Sequence, residues 1–401
     1  MFGRRDDNSL LRNGRFVKLW AGQGVSFLGD AVSLVALVIL TVELSGSAQA
    51  VGGLLLARLL PMLAGPAAGV LADRLDRRAV LVGCDLFRAG LVFAVIFVES
   101  IPLLYALAFS LGAARALFNP AIRAAFPGVV GSGDLTRANG LISATFSASV
   151  ALGPALGGLL VAAAGVEAAF VLNAVTYLVS AAFLARISFP PPLREDEGGF
   201  FGELAAGLGY LAGARVPLAI VAGAFLLILT VNLTTPAEVF LARDTFGAGD
   251  VGYGLLVSLW GGGMVLGSAL MAALGDRVNL LLFYFVSILV SALALAATGF
   301  SPTFILALCA LTIAGASNGV DNVTTDTILQ KRVPEALLGR VFSVRYLTYS
   351  AGEALAYPAG GLLVDVTGPR STYLLAGVAT AAAGLLILFL ISLPRRKTGA
   401  R

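Results

Sequence analysis

The chain maps onto itself when shifted by 203 positions. Asp73-Arg74 falls on Asp276-Arg277, Gly112 on Gly315, Asn119 on Asn322, Arg137 on Arg340, Gly157-Gly158 on Gly360-Gly361 and Gly165 on Gly368. One offset holds over roughly ninety residues, and the matched residues are loop charges, small packing residues and amides rather than interchangeable Leu, Ala or Val. The chain is therefore read as two copies of one unit, with few insertions between them.

What the unit is follows from its polarity. With 58% hydrophobic and 12% charged residues and a mean hydropathy of +0.92, there is too little polar surface to cover a water-soluble globule of 401 residues. Apolar runs long enough to cross roughly 30 Å of hydrocarbon recur about every thirty residues. They are expected at 16–43, 48–72, 79–98, 101–122, 138–164, 167–187, 217–241, 251–274, 279–299, 302–328, 337–364 and 372–393. The expected fold class is an all-α membrane protein of twelve transmembrane helices in two pseudo-symmetric six-helix bundles. A membrane β-barrel would instead show alternating segments of about ten residues.

Basic residues test the count, because cytoplasmic loops retain Lys and Arg. With the N-terminus inside, all but six of the 27 Lys and Arg collect on the cytoplasmic side. Only Arg243 and Arg370 fall outside, and Arg58, Arg88, Arg115 and Arg345 fall within spans. Both termini are expected to be cytoplasmic and the protein to be multi-pass in the cell (inner or plasma) membrane. The first apolar stretch is too long for a signal peptide and is read as a retained helix. The net charge of +4 then reflects topology, and no nucleic-acid partner is expected.

The halves are expected to divide as 1–187, a cytoplasmic linker over 188–216, and 217–401. Within the linker, Pro190-Pro191-Pro192 ends the sixth span and residues 194–199 are solvated. Phe200, Leu204, Leu208 and Leu211 then recur at helical spacing, which predicts an amphipathic helix on the inner membrane surface. Its plainest role is a tether that lets the bundles move independently.

The chain contains no histidine, so imidazole bases and haem or zinc ligation through imidazole are excluded, and any proton handled here moves on carboxylates. Cys84 and Cys309 lie in different spans and make neither a disulfide framework nor a metal motif. P-loop, nucleophile-elbow and paired acidic metal motifs are absent. No cofactor, metal or catalytic activity is expected.

The stretch from Gly69 through Asp73 and Arg74 to Arg77-Arg78 resembles the loop signature of the major facilitator superfamily, and Asp276-Arg277 is its degenerate echo. Asp76 departs from that pattern, which usually has glycine there. Arg58-x-x-Pro61 and Asn119-Pro120-Ala121 resemble the branch containing enterobactin exporters, macrolide efflux proteins and lysophospholipid transporters. The resemblance covers the whole chain. It implies that spans one, four, seven and ten line a central cavity, that spans two, five, eight and eleven form the interface, and that the rest face lipid. It also implies a gating latch at Gly69, Asp73, Arg74, Arg78, Asp276 and Arg277. A carboxylate there can bind the positive N-terminal end of a neighbouring helix, here that of span eleven. The competing reading is charge anchoring, which by itself explains Arg77.

In span five, Gly153-Pro154-Ala155-Leu156-Gly157-Gly158 resembles the motif of superfamily members that export by antiport. Small residues allow close helix approach, and Pro154 removes a backbone donor and bends the helix.

A charge in hydrocarbon costs about 2.5–3.5 kcal/mol on insertion scales, so each should face a cavity or partner. Asp30 sits about 18 Å beyond Lys18 at a helical rise of about 1.5 Å, and shares a face with Gln23, Ser26 and Ser33. Further stripes comprise Asn318, Asp321, Asn322 and Thr325 in span ten; Tyr346, Tyr349, Glu353 and Tyr357 in span eleven; Asn232, Thr235 and Glu238 in span seven; and Arg115 and Asn119 in span four. Desolvation favours the neutral form of a carboxylate and a nearby arginine the charged form. Asp30 is thus the expected proton-coupling acid with Arg115 as its partner, or else the two form a purely structural pair. Glu238, Asp321 and Glu353 are the other acidic candidates, and Glu353 among tyrosines suits a cationic or aromatic cargo.

Two functions remain in competition. One is a proton-coupled exporter of amphipathic or lipophilic small molecules working by alternating access. The other is a lysophospholipid flippase without obligatory proton coupling. Both imply a small-molecule or lipid substrate in a bilayer, and a monomer suffices because one chain holds both halves.

Overall fold

A computed structural model describes residues 9–131, 133–189 and 200–392, without the side chains of Ser9, Pro66, Ala67, Val70, Ala72, Asp73, Phe200, Phe201, Glu203 and Asp276. The expected proline run and solvated linker over 190–199, and the carboxylates of Asp73 and Asp276, lie outside the described residues. Among the described residues every regular element is helical. In chain order these are α1 (Ser9–Arg12), α2 (Gly14–Ser45), α3 (Ala48–Leu63), α4 (Gly65–Arg74), α5 (Arg77–Val95), α6 (Ile101–Val130), α7 (Leu135–Leu184), α8 (Phe200–Gly213), α9 (Arg215–Asn232), α10 (Ala237–Phe240), α11 (Gly249–Leu274), α12 (Leu280–Phe300), α13 (Phe304–Arg332), α14 (Glu335–Thr367) and α15 (Pro369–Ser392).

Eight segments are long and apolar enough to cross a membrane: α2, α6, α7, α9 with its continuation to Thr245, α11, α12, α13 and α15. The apolar α3 has only 16 residues, while α5 carries Asp85 and Arg88 and α14 carries Arg345 and Glu353.

Local chemistry sets the boundaries. The Asn13 side chain accepts from the Arg15 and Phe16 amides at 3.1 and 3.3 Å and starts α2, and Gly46 ends it at a φ of 63°. Ser47 caps α3 through the Ala50 amide. Asp76, the departure from the loop signature, has a job of its own: its carboxylate accepts from the Ala79 amide at 2.8 Å and caps α5.

Several elements differ from the expected spans. The second breaks at Ala64 between α3 and α4, next to Pro61. The fourth runs to Val130, because a helix need not stop where hydrocarbon stops. The fifth and sixth form one run turned by Gly165 at φ 83°, ψ 170°. Its repeat mate Gly368 makes the same corner between α14 and α15 at φ 84°, ψ 162°, which is why both copies hold glycine there. The seventh stops at Asn232, restarts as α10 and passes into a wider π turn over Leu241–Thr245.

The helices lie side by side with two distinguishable ends. At one, Asn13 Nδ2 donates to the Val129 carbonyl at 3.0 Å and Tyr210 Oη to the Arg332 carbonyl at 3.3 Å, beside most of the loop arginines. At the other, Tyr105 Oη donates to the Ala50 carbonyl at 2.9 Å, and Arg370 stacks on Phe246. These are called the basic and distal ends below. A helix, α8, spans the region where the amphipathic helix is expected, and it packs on α14, with Gly207 against the Arg340 carbonyl and Val344.

Among the described residues the repeats join chiefly through α3 with α14 and α7 with α11. Small residues make the crossings. In the G-P-x-x-G-G motif, Gly153 and Gly157 pack on Ala31 and Val32 of α2, whereas Gly158 meets Asp250 and Gly254 of α11 across the halves. In the second copy, Gly360 packs on Leu233 and Gly361 on Ala48 and Gln49 of α3. Each doublet uses its first glycine within its own half and its second against the other.

Candidate functional site

The halves touch at the distal end and part at the basic end. Distally, Ser47 Oγ and the Ala48 and Gln49 amides all donate to the Asp365 carboxylate, at 2.6, 2.8 and 3.1 Å. The end of α14 thereby caps the start of α3, anion to helix N-terminus. Arg243 adds ion pairs to Glu43 at 3.5 Å and Asp250 at 3.0 Å.

Toward the basic end two open cavities follow. One, of roughly 700 Å³, is bordered by α2, α6 and α7 and lined by Gln23, Phe27, Arg115, Asn119, Asn139 and Phe146 among others. The other, of roughly 470 Å³, lies between α3–α4 and α6 on one side and α14 on the other, with Asn119, Arg123, Phe342 and Tyr346 in its walls. Asn119 and Arg123 belong to both, so the two open spaces share a wall. This is a hollow of small-molecule size whose walls mix apolar and aromatic side chains with amides, hydroxyls and arginines.

Asp30 lies just behind that hollow. It lines a small closed space of about 10 Å³ together with Ser33, Arg58, Arg88, Arg115, Asn173 and Tyr177. Tyr177 Oη donates to Asp30 Oδ1. Arg88 pairs with the buried Asp85, and its guanidinium lies 4.2 Å from the Phe118 ring centre and 4.5 Å from that of Tyr177. The expected partner Arg115 shares this space without forming an ion pair with Asp30, whose hydrogen bond goes to Tyr177 instead. Arg115 also lines the open cavity, so one side chain faces both compartments.

The remaining expected residues divide by place. Gln23 and Asn119 line the open cavities. Asn232 turns inward to its own helix, donating to the Ile228 carbonyl at 2.9 Å. Glu238 sits in α10 within electrostatic reach of the buried Tyr253 and Tyr373. Glu353 accepts from Tyr357 Oη at 3.3 Å, with Tyr349 nearby. Asn318 and Asp321 line a separate small space between α9, α12 and α13, and Asn322 Nδ2 donates to Asn318 Oδ1 at 2.9 Å. None of Glu238, Asp321 and Glu353 is among the residues lining the two open cavities.

Of the loop signature, Gly69 faces Pro120 of α6, Arg74, Arg78 and Arg277 are exposed, and Arg77 is the buried one at 8%.

The sequence marks Arg88 only as a charge within a span and gives no sign of Asn173 or Tyr177, yet all three surround Asp30. They come from spans three and six, which the resemblance assigned to lipid. The signal was present in the charge of Arg88, because an arginine in a span demands a polar neighbour.

The chain matches the family described as transmembrane secretion effector over residues 8–400. Among known proteins it is 28% identical to BacE of Bacillus amyloliquefaciens, named for bacilysin export, over 91% of each chain. It is 25% identical to macrolide efflux protein A of Streptococcus pyogenes over 90% of this chain and 92% of the other. It is 28% identical to the enterobactin exporter EntS of Citrobacter koseri over 89% and 84%. In fold it is similar to the nucleoside transporter NupG, with a TM-score of 0.80 at 14% identity, covering 95% of this chain and all of that one. A helical bundle in two joined repeats, a hollow between them and these relatives lead to one conclusion: the chain belongs to the transmembrane secretion effector family of the major facilitator superfamily, and is a multi-pass transporter of the cell membrane rather than an enzyme.

Proposed function

We propose that the chain is a proton-coupled antiporter that exports amphipathic, lipophilic small molecules by alternating access. Antibiotic- and siderophore-exporting relatives support the direction and the cargo class. The bundle is counted as twelve passes, with α3 and α4 forming one, α7 two, and both termini cytoplasmic. The rocking units are 1–187 and 217–401, joined by 188–216. The distal closure and basic-end hollow then correspond to a state open to the cytoplasm.

The observation that carries the coupling is the position of Arg115, between the Asp30 cluster and the open cavity. Three guanidiniums surround Asp30, and one of them is already paired to Asp85. Protonating Asp30 removes a negative charge, so the field that Arg115 projects into the cavity becomes more positive. Cargo carrying positive charge is then held while Asp30 is ionised and expelled when it is protonated. Linkage makes the effect reciprocal: bound cargo opposes protonation. That is the sense antiport requires. Gln23, Asn119 and Tyr346 would contact cargo, and the Asp73-Arg74 loop would close the basic end in the opposite state.

The test uses purified protein in liposomes with a macrolide, a catecholate siderophore and a lysophospholipid as cargo. The macrolide, whose amine carries positive charge, should accumulate against its gradient only when a proton gradient is imposed, and Asp30→Asn should abolish that response. The catecholate siderophore, which carries no positive charge, should show no such proton-driven accumulation. Unchanged proton-driven accumulation in Asp30→Asn would remove Asp30 from the mechanism. The flippase reading rests on the second open cavity, which runs between α3–α4 and α14 where a lipid would pass sideways. Lysophospholipid movement insensitive to uncouplers would select it.

A further inference from the structure

The C-terminal half holds a polar space of its own that shares two repeat-equivalent positions with the Asp30–Arg88 space of the N-terminal half. It measures about 20 Å³, enough for one or two water-sized particles, and is lined by Leu227, Val231, Ser287, Ile288, Ser291, Ser317, Asn318 and Asp321. At the offset of 203, Ser291 corresponds to Arg88, Asn318 to Arg115 and Asp321 to Phe118. In the first half the guanidinium of Arg88 fills this position, lying over the Phe118 ring. In the second half a short hydroxyl replaces the arginine and a carboxylate replaces the ring. The paired Asp85 and Arg88 become Ile288 and Ser291, so the lining keeps one carboxylate and no arginine.

The polar atoms of the lining are chiefly acceptors, which suits a cation. Asp321 Oδ1 is out of contact with solvent and has no hydrogen-bond partner. Ser287 Oγ donates its proton to the Tyr284 carbonyl at 2.7 Å, and Ser317 Oγ to the Ile313 carbonyl at 2.9 Å, so both oxygens turn lone pairs outward. Asn318 Oδ1 is an acceptor as well, already taking the Asn322 amide. Ser291 adds an eight-per-cent-exposed hydroxyl. The charged and titratable groups facing this carboxylate are Arg345, Asp326, Tyr284 and Tyr349. Arg345 is held by Asp326 at 2.7 Å, and Tyr284 Oη makes no hydrogen bond. An orphaned buried carboxylate oxygen costs free energy that a bound cation would recover.

We propose that Asp321, Ser287, Ser291, Ser317 and Asn318 form a sodium-binding site between α12 and α13. A single carboxylate among neutral oxygens balances one positive charge, and no group of three or more acidic or thiol side chains that would hold a divalent ion occurs among the described residues. A bare proton would need only the carboxylate and would leave the surrounding acceptor oxygens unused. The site is separate from Asp30, so it stands whether or not Asp30 couples transport to protons.

The experiment is a thermal-unfolding titration of the full-length protein in detergent with NaCl, replacing KCl at constant ionic strength and at pH 8.5. Sodium should raise Tm in a saturable way that potassium does not reproduce. Asp321→Asn should abolish the sodium response, and Ser291→Ala, which keeps the carboxylate, should weaken the apparent affinity about tenfold. Equal Tm in sodium and potassium would overturn the site, as would a sodium response that persists in Asp321→Asn. A Tm that changes with pH but not with sodium would assign the space to a proton and overturn it too. Should Asp321→Asn fail to fold, a Ser291→Ala titration identical to that of the parent protein would be just as decisive against it.

Discussion

Arg88 shows how much a single buried charge can organise. Asp85 is fully buried and Arg88 is 4% exposed, so each depends on the other for its place in the bundle. Removing one partner of such a pair leaves an uncompensated charge, at about 3–5 kcal/mol, whereas removing both is far milder. Asp85→Leu is therefore expected to lower the melting temperature sharply in detergent, and Asp85→Leu with Arg88→Leu to recover much of the loss. A double variant as unstable as the single would mean that Arg88 acts chiefly on Asp30, Tyr177 and Phe118. At this scale the sequence identified which residues were costly but not their neighbours. Spacing along a helix gives the face a side chain shares, so Gln23 and Asp30 were legible. Which ring or guanidinium meets that face depends on helix tilt and on long side chains reaching across, so Tyr177 was not.

At the scale of elements, the start of α3 and the end of α14 make the most specific contact between the halves. Three donors converge on Asp365, and two of them are backbone amides at a helix N-terminus. The loop signature suggested such a cap at the other end, from Asp73 to span eleven. The distal closure uses the same two spans with the donor and acceptor helices exchanged. Losing a cap costs about 1 kcal/mol, so Asp365→Ala should shift the balance away from the basic-end-open state about fivefold. A Ser343→Cys reporter in the basic-end cavity, on a Cys309→Ser background, would then react more slowly with a water-soluble maleimide. Faster or unchanged labelling would show that this cap does not hold the distal end shut. Hydropathy marked these helices well but misjudged their ends, because caps such as Asn13, Ser47 and Asp76, and corners such as Gly165, set ends independently of where apolarity fades.

For the whole molecule, the repeat was the most legible feature and its exceptions the least. Gly158 and Gly361 occupy equivalent positions and do equivalent work, each set against the backbone of the opposite half at the distal closure. The charges follow no such rule. Asp30 falls on Leu233, Arg115 on Asn318 and Glu353 on Val150, so the scaffold is symmetric while the polar machinery is private to each half. If the symmetric scaffold alone sets the balance between open states, equivalent glycines must respond alike. Gly158→Val and Gly361→Val each insert a branched side chain where a Cβ already meets backbone, at about 1–3 kcal/mol of overpacking. Both should favour parting of the distal surfaces and lower basic-end labelling by similar factors. Because either wedge already separates the same closure, the double variant should lose less than the product of the two factors. Opposite shifts from the two glycines, or fully multiplicative ones, would mean that the two crossings open independently and that the halves do not move as rigid units.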